Sequence, residues 1–445
     1  MVNVSVHGRQ LRCEVVSDFG RLQELCLEWT RLWNSDSQAE IFQTPEWAIA
    51  WWRYFGDGRT LCSLVVFAED EVIGIVPLAK RRGVIQFLGV PQADYADIIC
   101  EEKWAQEVLA VAFKTLRESL TGWGECVWQH LSKDSRVMRY YRALPRQVLG
   151  NLHCLPTEGY QTILLQENRD AVLRSLLGKK HTRRRRNKLQ KAGQVQFRHL
   201  QTLHAAGTCL DDFFHHHIRR QEAIGKQSVY AAPESRQFIR TLFAKLGSAA
   251  RSGVLELDGR PLAWYIGFQV NGKFLLYQHT FDVDASDYTP GELLLWNLFE
   301  YARDNVAREF DFGSGNELYK NRFANYSRET FSLFIEPSGL KGRVRGLARE
   351  AQVHLLPPLR DVQQIAKSHS TTLRAFRSIR KWVLSMRHWV RRGKGKGAVP
   401  GQKLHQKKEK SDDSVWRKRL PDVFASETPH AGEGNSVVSH HSDFR

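Results

Sequence analysis

The sequence lacks paired cysteines. Its seven cysteines are far apart, and none belongs to a Cys-x-x-Cys pair: Cys13, Cys26, Cys62, Cys100, Cys126, Cys154 and Cys209. An odd, dispersed set argues against a disulfide framework and lacks the ligand spacing of a structural zinc site. We therefore predict a reducing compartment and no metal ion.

Long apolar runs are also missing. No uninterrupted run approaches the roughly 18 apolar residues that a membrane-spanning helix needs. Residues 1–16 do not contain the apolar core of a secretory leader. We therefore expect a cytoplasmic, bacterial protein, with a peripheral position on the inner face of the membrane as the alternative.

Most of the chain has little net charge. The total is +17, but residues 341–445 hold 23 Lys/Arg against 9 Asp/Glu and so account for +14 of it. This basic tail suggests an anionic partner such as a lipid surface or nucleic acid, or simply solubility. Within it, residues 371–392 have an amphipathic helical period that suits either a membrane interface or the protein's own body. The end of the tail should be disordered.

The remaining sequence is long enough for two cores. It has 445 residues in all, 42% of them hydrophobic and 11% aromatic. Two segments about 185 residues apart predict the same order of strands, helix and final strand. We predict an α/β (α+β type) fold with two mixed, largely antiparallel sheets flanked by helices. The predicted domains are residues 1–158 and 159–340, divided at a turn-rich stretch around residues 151–159, followed by the tail from 341.

Residues 253–325 are the most informative part of the sequence. Asn271-Gly272 predicts a hairpin, because both positions of such a turn need positive φ. Thr289-Pro290-Gly291-Glu292 predicts a helix start with Thr289 as N-cap and Glu292 completing a capping box. Free N–H groups at such a helix end, facing a cleft, can hold an anionic acyl carrier. The alternative is that Glu292 satisfies these groups itself and repels a phosphate.

Several motifs together resemble one family, the tandem-domain GNAT acyltransferases associated with cellulose and exopolysaccharide biosynthesis, which are related to Fem-type aminoacyl ligases. The motifs are LDGRPLAW (257–264), TPGELLLW (289–296), EFDFGSGNELYKNRFA (309–324), FQTPEWAIAWW (42–52), PQADYADII (91–99) and RRRRNKLQKAG (183–193). The resemblance implies two tandem GNAT-like domains and acyl-CoA, such as acetyl-CoA, as co-substrate. The usual carrier loop of GNAT proteins, Gln/Arg-x-x-Gly-x-Gly/Ala, is replaced here by residues 288–293.

The basic run 179–191 contains eight positive charges. The resemblance places it against the cleft of the second domain, where Arg185 or Arg186 would neutralise a phosphate with a planar guanidinium. A solvated helix face or a nucleic-acid patch explains the same run. On the donor side we therefore assign Thr289, Gly291, Glu292, Arg185 and Arg186.

Polar residues after the last predicted strand are candidates for chemistry, because strand ends line clefts in α/β folds. Asp311 would accept a proton from an amine, Tyr319 would donate one to a leaving group, and Lys320 would hold an anion. Arg322 follows as a substrate-binding candidate. The alternative is a loop with a helix-capping Asp.

Asp94, Tyr95 and Asp97 match the D-Y-x-D signature of the family, which implies a role in binding an acceptor hydroxyl or amine. A turn with a buried Tyr is the alternative. Of three consecutive histidines only His217 aligns with a His of the family, and three successive positions cannot ligate one metal.

No P-loop, Gly-x-Gly-x-x-Gly motif or Ser–His–Asp pattern can be assigned. GNAT chemistry needs none of them, because the donor thioester only has to be held beside a nucleophile and a base. The resemblance therefore implies an acyltransferase that acts with an acyl-CoA donor on an amine or hydroxyl of a cell-envelope saccharide precursor. The alternatives are an aminoacyl ligase using charged tRNA and a non-catalytic scaffold that binds nucleic acid or membrane.

Overall fold

The computed structural model describes residues 2–6, 9–165, 169–177, 180–200, 203–306, 308–315 and 317–337. All of them belong to one compact unit. The predicted tail from residue 341, with its amphipathic helix 371–392, lies outside the described residues. Among the residues described, no helix is long and apolar enough to span a bilayer.

The first half of the chain contains runs of strands and runs of helices. Its strands are β1 (Val2–Val6), β2 (Arg9–Val16), β3 (Thr60–Leu61), β4 (Ser63–Ala68), β5 (Glu71–Val76), β6 (Leu78–Arg81), β7 (Val84–Phe87), β8 (Ile99–Cys100) and β9 (Glu125–Ser132). Its α-helices are α1 (Phe19–Glu24), α2 (Cys26–Asn34), α3 (Pro45–Phe55), α4 (Ala105–Glu118), α5 (Arg136–Tyr140) and α6 (Arg146–Leu149).

The second half has longer strands and the longer helices. Its strands are β10 (Asn151–Pro156), β11 (Tyr160–Leu164), β12 (Val195–Leu200), β13 (Ala250–Leu257), β14 (Arg260–Val270), β15 (Lys273–Phe281), β16 (Glu309–Asp311), β17 (Tyr326–Arg328) and β18 (Thr330–Glu336). Its α-helices are α7 (Arg169–Leu177), α8 (Lys180–Ala192), α9 (Leu203–Ala223), α10 (Pro233–Leu246), α11 (Pro290–Asn305) and α12 (Leu318–Phe323).

Three sheets are formed by these strands. Two of them belong mainly to the first half, with strand orders β1-β2-β4-β5-β8 and β10-β18-β9-β7-β6-β3. The third has the order β12-β13-β14-β15-β16-β11-β17 and belongs to the second half. Most neighbours are antiparallel, whereas β7 and β9, and β15 and β16, run parallel. The predicted fold class, with two mixed and largely antiparallel GNAT-like halves flanked by helices, is confirmed.

Glycine turns fix the registers of the central strands. Asn271 and Gly272 have φ angles of 49° and 73°, and they join β14 to β15 as the Asn-Gly pair predicts. Asp258 and Gly259 join β13 to β14 in the same way, with φ of 51° and 76°. The turns hold the three long strands β13, β14 and β15 side by side. The hydrophobic core of the second half packs against this part of the sheet.

A strand from the end of the second half belongs to a sheet of the first half. β18, near the end of the described chain, pairs with β9 and β10 in a sheet of the first half. The predicted boundaries at 158/159 and 340/341 therefore do not separate two self-contained sheets. The stretch expected to be turn-rich is strand β10, whose Pro156 is tolerated because β10 lies at the sheet edge.

The halves also share a hydrophobic core. Trp47 of α3 is fully buried and packs edge-on against Phe238 of α10, with ring centroids 5.2 Å apart. It also contacts Phe268 of β14 and Tyr277 of β15, each at 5.7 Å. Because this core contains side chains from both halves, it fixes the position of each first-half group that lies against the second half.

Candidate active site

The site begins where two parallel strands diverge. β15 pairs with β16 from Lys273↔Glu309 to Leu275↔Asp311, after which β15 continues to Phe281 paired with β14 but no longer with β16. β16 instead ends, and the chain turns at Gly313 with φ of 65°. The splayed strands leave a wedge between them, and the backbone and side chains of β15 beyond Leu275 line it.

A cavity of about 540 Å³ occupies this wedge. Helices α9 and α10 of the second half form part of its wall, and the first half contributes residues from the loop before β8. Polar side chains on its wall include Gln92, Asp94, His217, His279 and Ser314. The size suits a small organic substrate, and both halves of the molecule are needed to form it.

A smaller cavity of about 220 Å³ lies at the start of α11. Residues of the predicted donor loop, Thr289, Gly291 and Glu292, line it together with Arg322. Three side chains, those of Arg220, His279 and Tyr319, line both cavities. The two cavities therefore adjoin, and a molecule in one can meet a molecule in the other.

The predicted capping box at α11 is wrong. Pro290 does begin the helix, but Thr289 has φ 51° and ψ 49°, and its side chain accepts no hydrogen bond from the helix. The reason is that Thr289 also ends a 3₁₀ turn, Val283–Tyr288, and its N–H donates to the Ser286 carbonyl. The Thr289 hydroxyl is buried and makes no hydrogen bond to the described residues.

Glu292 is instead held by arginines. Its carboxylate contacts Arg185 of α8 and lies 3.5 Å from Arg322 of α12. Arg186 pairs with Glu300 of α11 at 3.4 Å. Neither Arg185 nor Arg186 appears on a cavity wall, and both are already paired with carboxylates. Their role in neutralising a donor phosphate stays a prediction.

Lys320 lines the larger cavity, but its ammonium group already has hydrogen-bond and ion-pair partners in the protein. It donates to the Ser314 carbonyl, lies 3.5 and 3.4 Å from the carbonyls of Gly313 and Gly315, and forms an ion pair with Glu317 at 2.9 Å. The side chain is 3% exposed. Lys320 therefore fixes the loop after β16, and its role in holding an anion stays a prediction.

Asp311 lies behind the cavities, in a buried polar network. It accepts a hydrogen bond of 2.6 Å from the Tyr95 hydroxyl and lies 3.4 Å from Arg328. Arg328 also pairs with Glu309, and Lys273 pairs with Glu40 at 2.6 Å. Burial raises the pKa of Asp311 to about 6, against the effect of Arg328. Asp311 and Tyr95 join the two halves and line neither cavity, and their roles in proton transfer and acceptor binding stay predictions.

Asp97 and Asp94 have different surroundings. Asp97 accepts N–H groups of Ile98, Arg136 and Val137 at 2.9, 2.6 and 3.0 Å, so it caps α5 and does not face the cavity. Asp94 lies on the wall of the larger cavity and accepts a hydrogen bond from the Ser314 hydroxyl. Burial raises the pKa of Asp94. Of the D-Y-x-D residues, Asp94 alone reaches the larger cavity.

Two histidines face the larger cavity. The Nδ1 of His217 lies 2.8 Å from the Ser228 hydroxyl, which also accepts the Tyr230 N–H at 3.0 Å. Burial lowers the pKa of His217 to about 4. Burial and the nearby Arg220 lower the pKa of His279 to about 3. Both imidazoles are therefore neutral near pH 7, and neither adds positive charge to the cavity.

Tyr319 occupies the junction of the two cavities. Its ring lies edge-on to His279, with centroids 5.4 Å apart. Burial and the neighbouring Glu317 raise the pKa of its phenol. The hydroxyl is therefore fully protonated near pH 7 and suited to donate a proton or a hydrogen bond.

Sequence reasoning missed His279 and Arg220. The periodicities contain a signal for each: His279 alternates with Tyr277 and Leu275 on one face of β15, and Arg220 lies one helical turn after His217. Neither pattern shows that a strand would separate from its neighbour at Leu275. Within the described residues, no three His, Cys, Asp or Glu side chains are grouped as metal ligands.

Comparisons with known proteins agree with this architecture. Residues 178–321 match the family model described as an acetyltransferase (GNAT) domain. A crystal structure of FemX superposes with a TM-score of 0.50 at 12% identity, covering 72% of this chain and 96% of that one. A tandem GNAT protein from the clavulanic acid biosynthesis pathway has a TM-score of 0.42 at 12% identity, covering 74% and 99%.

The C-terminal domain of a putative lysylphosphatidylglycerol synthetase from Agrobacterium fabrum has a TM-score of 0.47 at 12% identity, covering 75% and 97%. No curated protein matches the sequence significantly. The likeness to FemX concerns the fold, whereas the family match concerns the segment that contains most of both cavities. Residues 178–321 therefore match a GNAT acetyltransferase domain, and they lie within the two-half fold described above.

Proposed function

We propose that the protein is a GNAT-type acyltransferase that moves an acyl group from acyl-CoA to an amine or hydroxyl of a cell-envelope or exopolysaccharide precursor. The observation that carries the proposal is the junction of two cavities within the GNAT-matched segment. The donor enters the smaller cavity at the start of α11, and the acceptor enters the larger one.

In this proposal the acceptor nucleophile attacks the thioester carbonyl at the junction. The C–S bond breaks as the new C–N or C–O bond forms. Asp94 takes the proton of the nucleophile, replacing Asp311 in that role, and Tyr319 gives a proton to the departing thiolate. The raised pKa of Asp94 makes its carboxylate a stronger base, and the Tyr319 phenol carries its proton at pH 7.

Tyr319→Phe tests this assignment. Loss of a positioned proton donor should lower kcat about 100-fold and leave the Kd for acetyl-CoA nearly unchanged. Tyr326→Phe, at a tyrosine that is 37% exposed in β17, is the matched control. Thermal shift measures the binding of acetyl-CoA, of longer acyl-CoAs and of nucleotide sugars. A radiolabelled acetyl assay measures the transfer. Equal kcat values for the two variants would remove Tyr319 from the chemistry.

A second candidate is a Fem-like aminoacyl ligase that uses charged tRNA. It is favoured by Glu292, because a carboxylate already paired with Arg185 and Arg322 occupies the helix start where a pyrophosphate would bind. Transfer from aminoacyl-tRNA without any response to acyl-CoA would replace the first proposal. A protein that transfers from neither donor would match the scaffold alternative, with nucleic acid or an anionic membrane contacting the tail.

A further inference from the structure

Arg220 is the cation shared by the two cavities. It lies in the last turn of α9, is half-buried and lines both cavity walls. One guanidinium nitrogen, Nη1, donates to the His279 carbonyl at 3.1 Å, and Cζ lies 4.6 Å from the centre of the Phe281 ring. These contacts fix the position of the guanidinium group but do not neutralise it.

The other cations on these walls have carboxylate partners. Lys320 pairs with Glu317 at 2.9 Å and Arg322 with Glu292 at 3.5 Å. Arg219, the preceding residue on α9, pairs with Asp284 at 3.1 Å. Among the described residues, no carboxylate forms an ion pair with Arg220. A half-buried guanidinium keeps its charge, so an anion bound beside it would lower the cost of that burial.

We infer that Arg220 binds an anionic group, a phosphate or a carboxylate, on the acceptor. The inference rests on the proposed acyl transfer and names the class of acceptor. Apart from Nη1 with its bond to His279, the guanidinium has no hydrogen bond to another described side chain or carbonyl, so its planar edge can meet two anion oxygens. The acceptor is favoured over the donor because the larger cavity has the room for a substituted sugar.

The uncharged state of the two histidines supports the inference that Arg220 binds the anion. His217 and His279 carry no charge near pH 7, and Lys320 is neutralised by Glu317. Asp94 and Glu317 are acidic residues of this wall; Glu317 pairs with Lys320, and the Asp94 carboxylate accepts a hydrogen bond from the Ser314 hydroxyl. An acceptor with its anion at Arg220 and its amine or hydroxyl at Asp94 would therefore be oriented by both ends of the cavity.

The test compares amino sugars that differ in charge. Glucosamine 6-phosphate and muramic acid, each measured against glucosamine, probe the phosphate and the carboxylate, and inorganic phosphate probes the anion alone. For the full-length protein, the Kd of at least one of the two charged sugars should be at least about tenfold lower than the Kd of glucosamine. Arg220→Gln should abolish that preference, a loss on the order of ten- to hundredfold, and Arg220→Lys should restore part of it.

Arg219→Gln is the matched control, because it removes a neighbouring arginine that lines neither cavity. It should keep the preference for the charged sugar. The melting temperature of ligand-free Arg220→Gln should equal or exceed that of the wild type, since a half-buried cation without a carboxylate partner is lost. Inorganic phosphate should raise the melting temperature of the wild type more than that of this variant.

Three results would overturn the inference: no preference for either charged sugar, an equal phosphate response in Arg220→Gln and wild type, or a variant that loses acetyl-CoA affinity while keeping the acceptor preference. The last would assign Arg220 to the donor. Failure of the proposed acyl transfer would give a different result. Acetyl-CoA would then neither bind nor react, whereas the effect of inorganic phosphate on the melting temperature would still report on anion binding by Arg220.

Discussion

Asp311 shows at the level of one residue how burial alters charge. Its pKa of about 6 in the folded protein lies above the ordinary value of 3.8, because burial and the neighbouring Glu309 outweigh Arg328. A carboxyl group with a raised folded pKa binds its proton more tightly in the folded state than in the unfolded one. As pH rises from about 4 to about 6, this group therefore lowers the free energy of unfolding, and the effect is complete above pH 6.

Asp311→Asn should remove that contribution. Urea titrations at pH 4.5 and 7 should show a smaller difference in unfolding free energy for the variant than for the wild type. Asp134→Asn, at an exposed position, is the control and should keep the wild-type difference. An Asp311→Asn protein with the same pH dependence as the wild type would show that the network around Tyr95 and Arg328 keeps this carboxylate ionised.

At the level of elements, the start of α11 determines the size of the smaller cavity. Gly291 lies against Phe281 of β15, and a Cβ at Gly291 would come within 3.1 Å of that ring. Since the contact is with the edge of a side chain, a methyl group can be accommodated by a small shift. A branched side chain would extend into the cavity itself.

Gly291→Val should therefore weaken acetyl-CoA binding at least about tenfold, equal to about 1.4 kcal/mol, whereas Gly291→Ala should have a small effect. Isothermal titration gives both affinities. Gly207→Ala in α9, where an added Cβ meets nothing within 4 Å, is the control for a Gly replacement in a helix. Unchanged acetyl-CoA affinity in Gly291→Val would place the donor away from α11.

For the whole molecule, the position of β18 in a first-half sheet and the shared core predict that the two halves unfold together. β18 continues a first-half sheet, and Trp47 fills space between α10 and the second-half strands. Urea denaturation followed by tryptophan fluorescence and by circular dichroism should give one coincident transition. Two separated transitions would mean that the halves are independent folding units.

Trp47→Ala measures how much the shared core stabilises the protein. Removing a fully buried Trp should lower the free energy of unfolding by about 3–5 kcal/mol, with the transition still single. Leu27→Ala, at a leucine that is 84% exposed, should change it little and serves as the control. A Trp47→Ala protein as stable as the wild type would show that the shared core contributes little to the association of the halves.

The sequence by itself determined the local elements. Asn271-Gly272 needs a turn with positive φ, and Pro290 suits the first position of a helix, so the hairpin and the start of α11 were predictable from residue chemistry. The repeated order of strands and helix gave the two-half fold class. Resemblance to a family pointed to Asp94 and His217, and a position after the last predicted strand pointed to Tyr319; all three line the larger cavity.

Tertiary structure alone decided which of those residues face the cavities. Lys320 and Asp311 have the residue types of a catalytic site, yet one holds three carbonyls and the other lies in a buried network. Arg220 and His279 became wall residues because β15 leaves β16 at Leu275. Local patterns do not contain this information, because the divergence of two strands depends on packing between segments far apart in the chain.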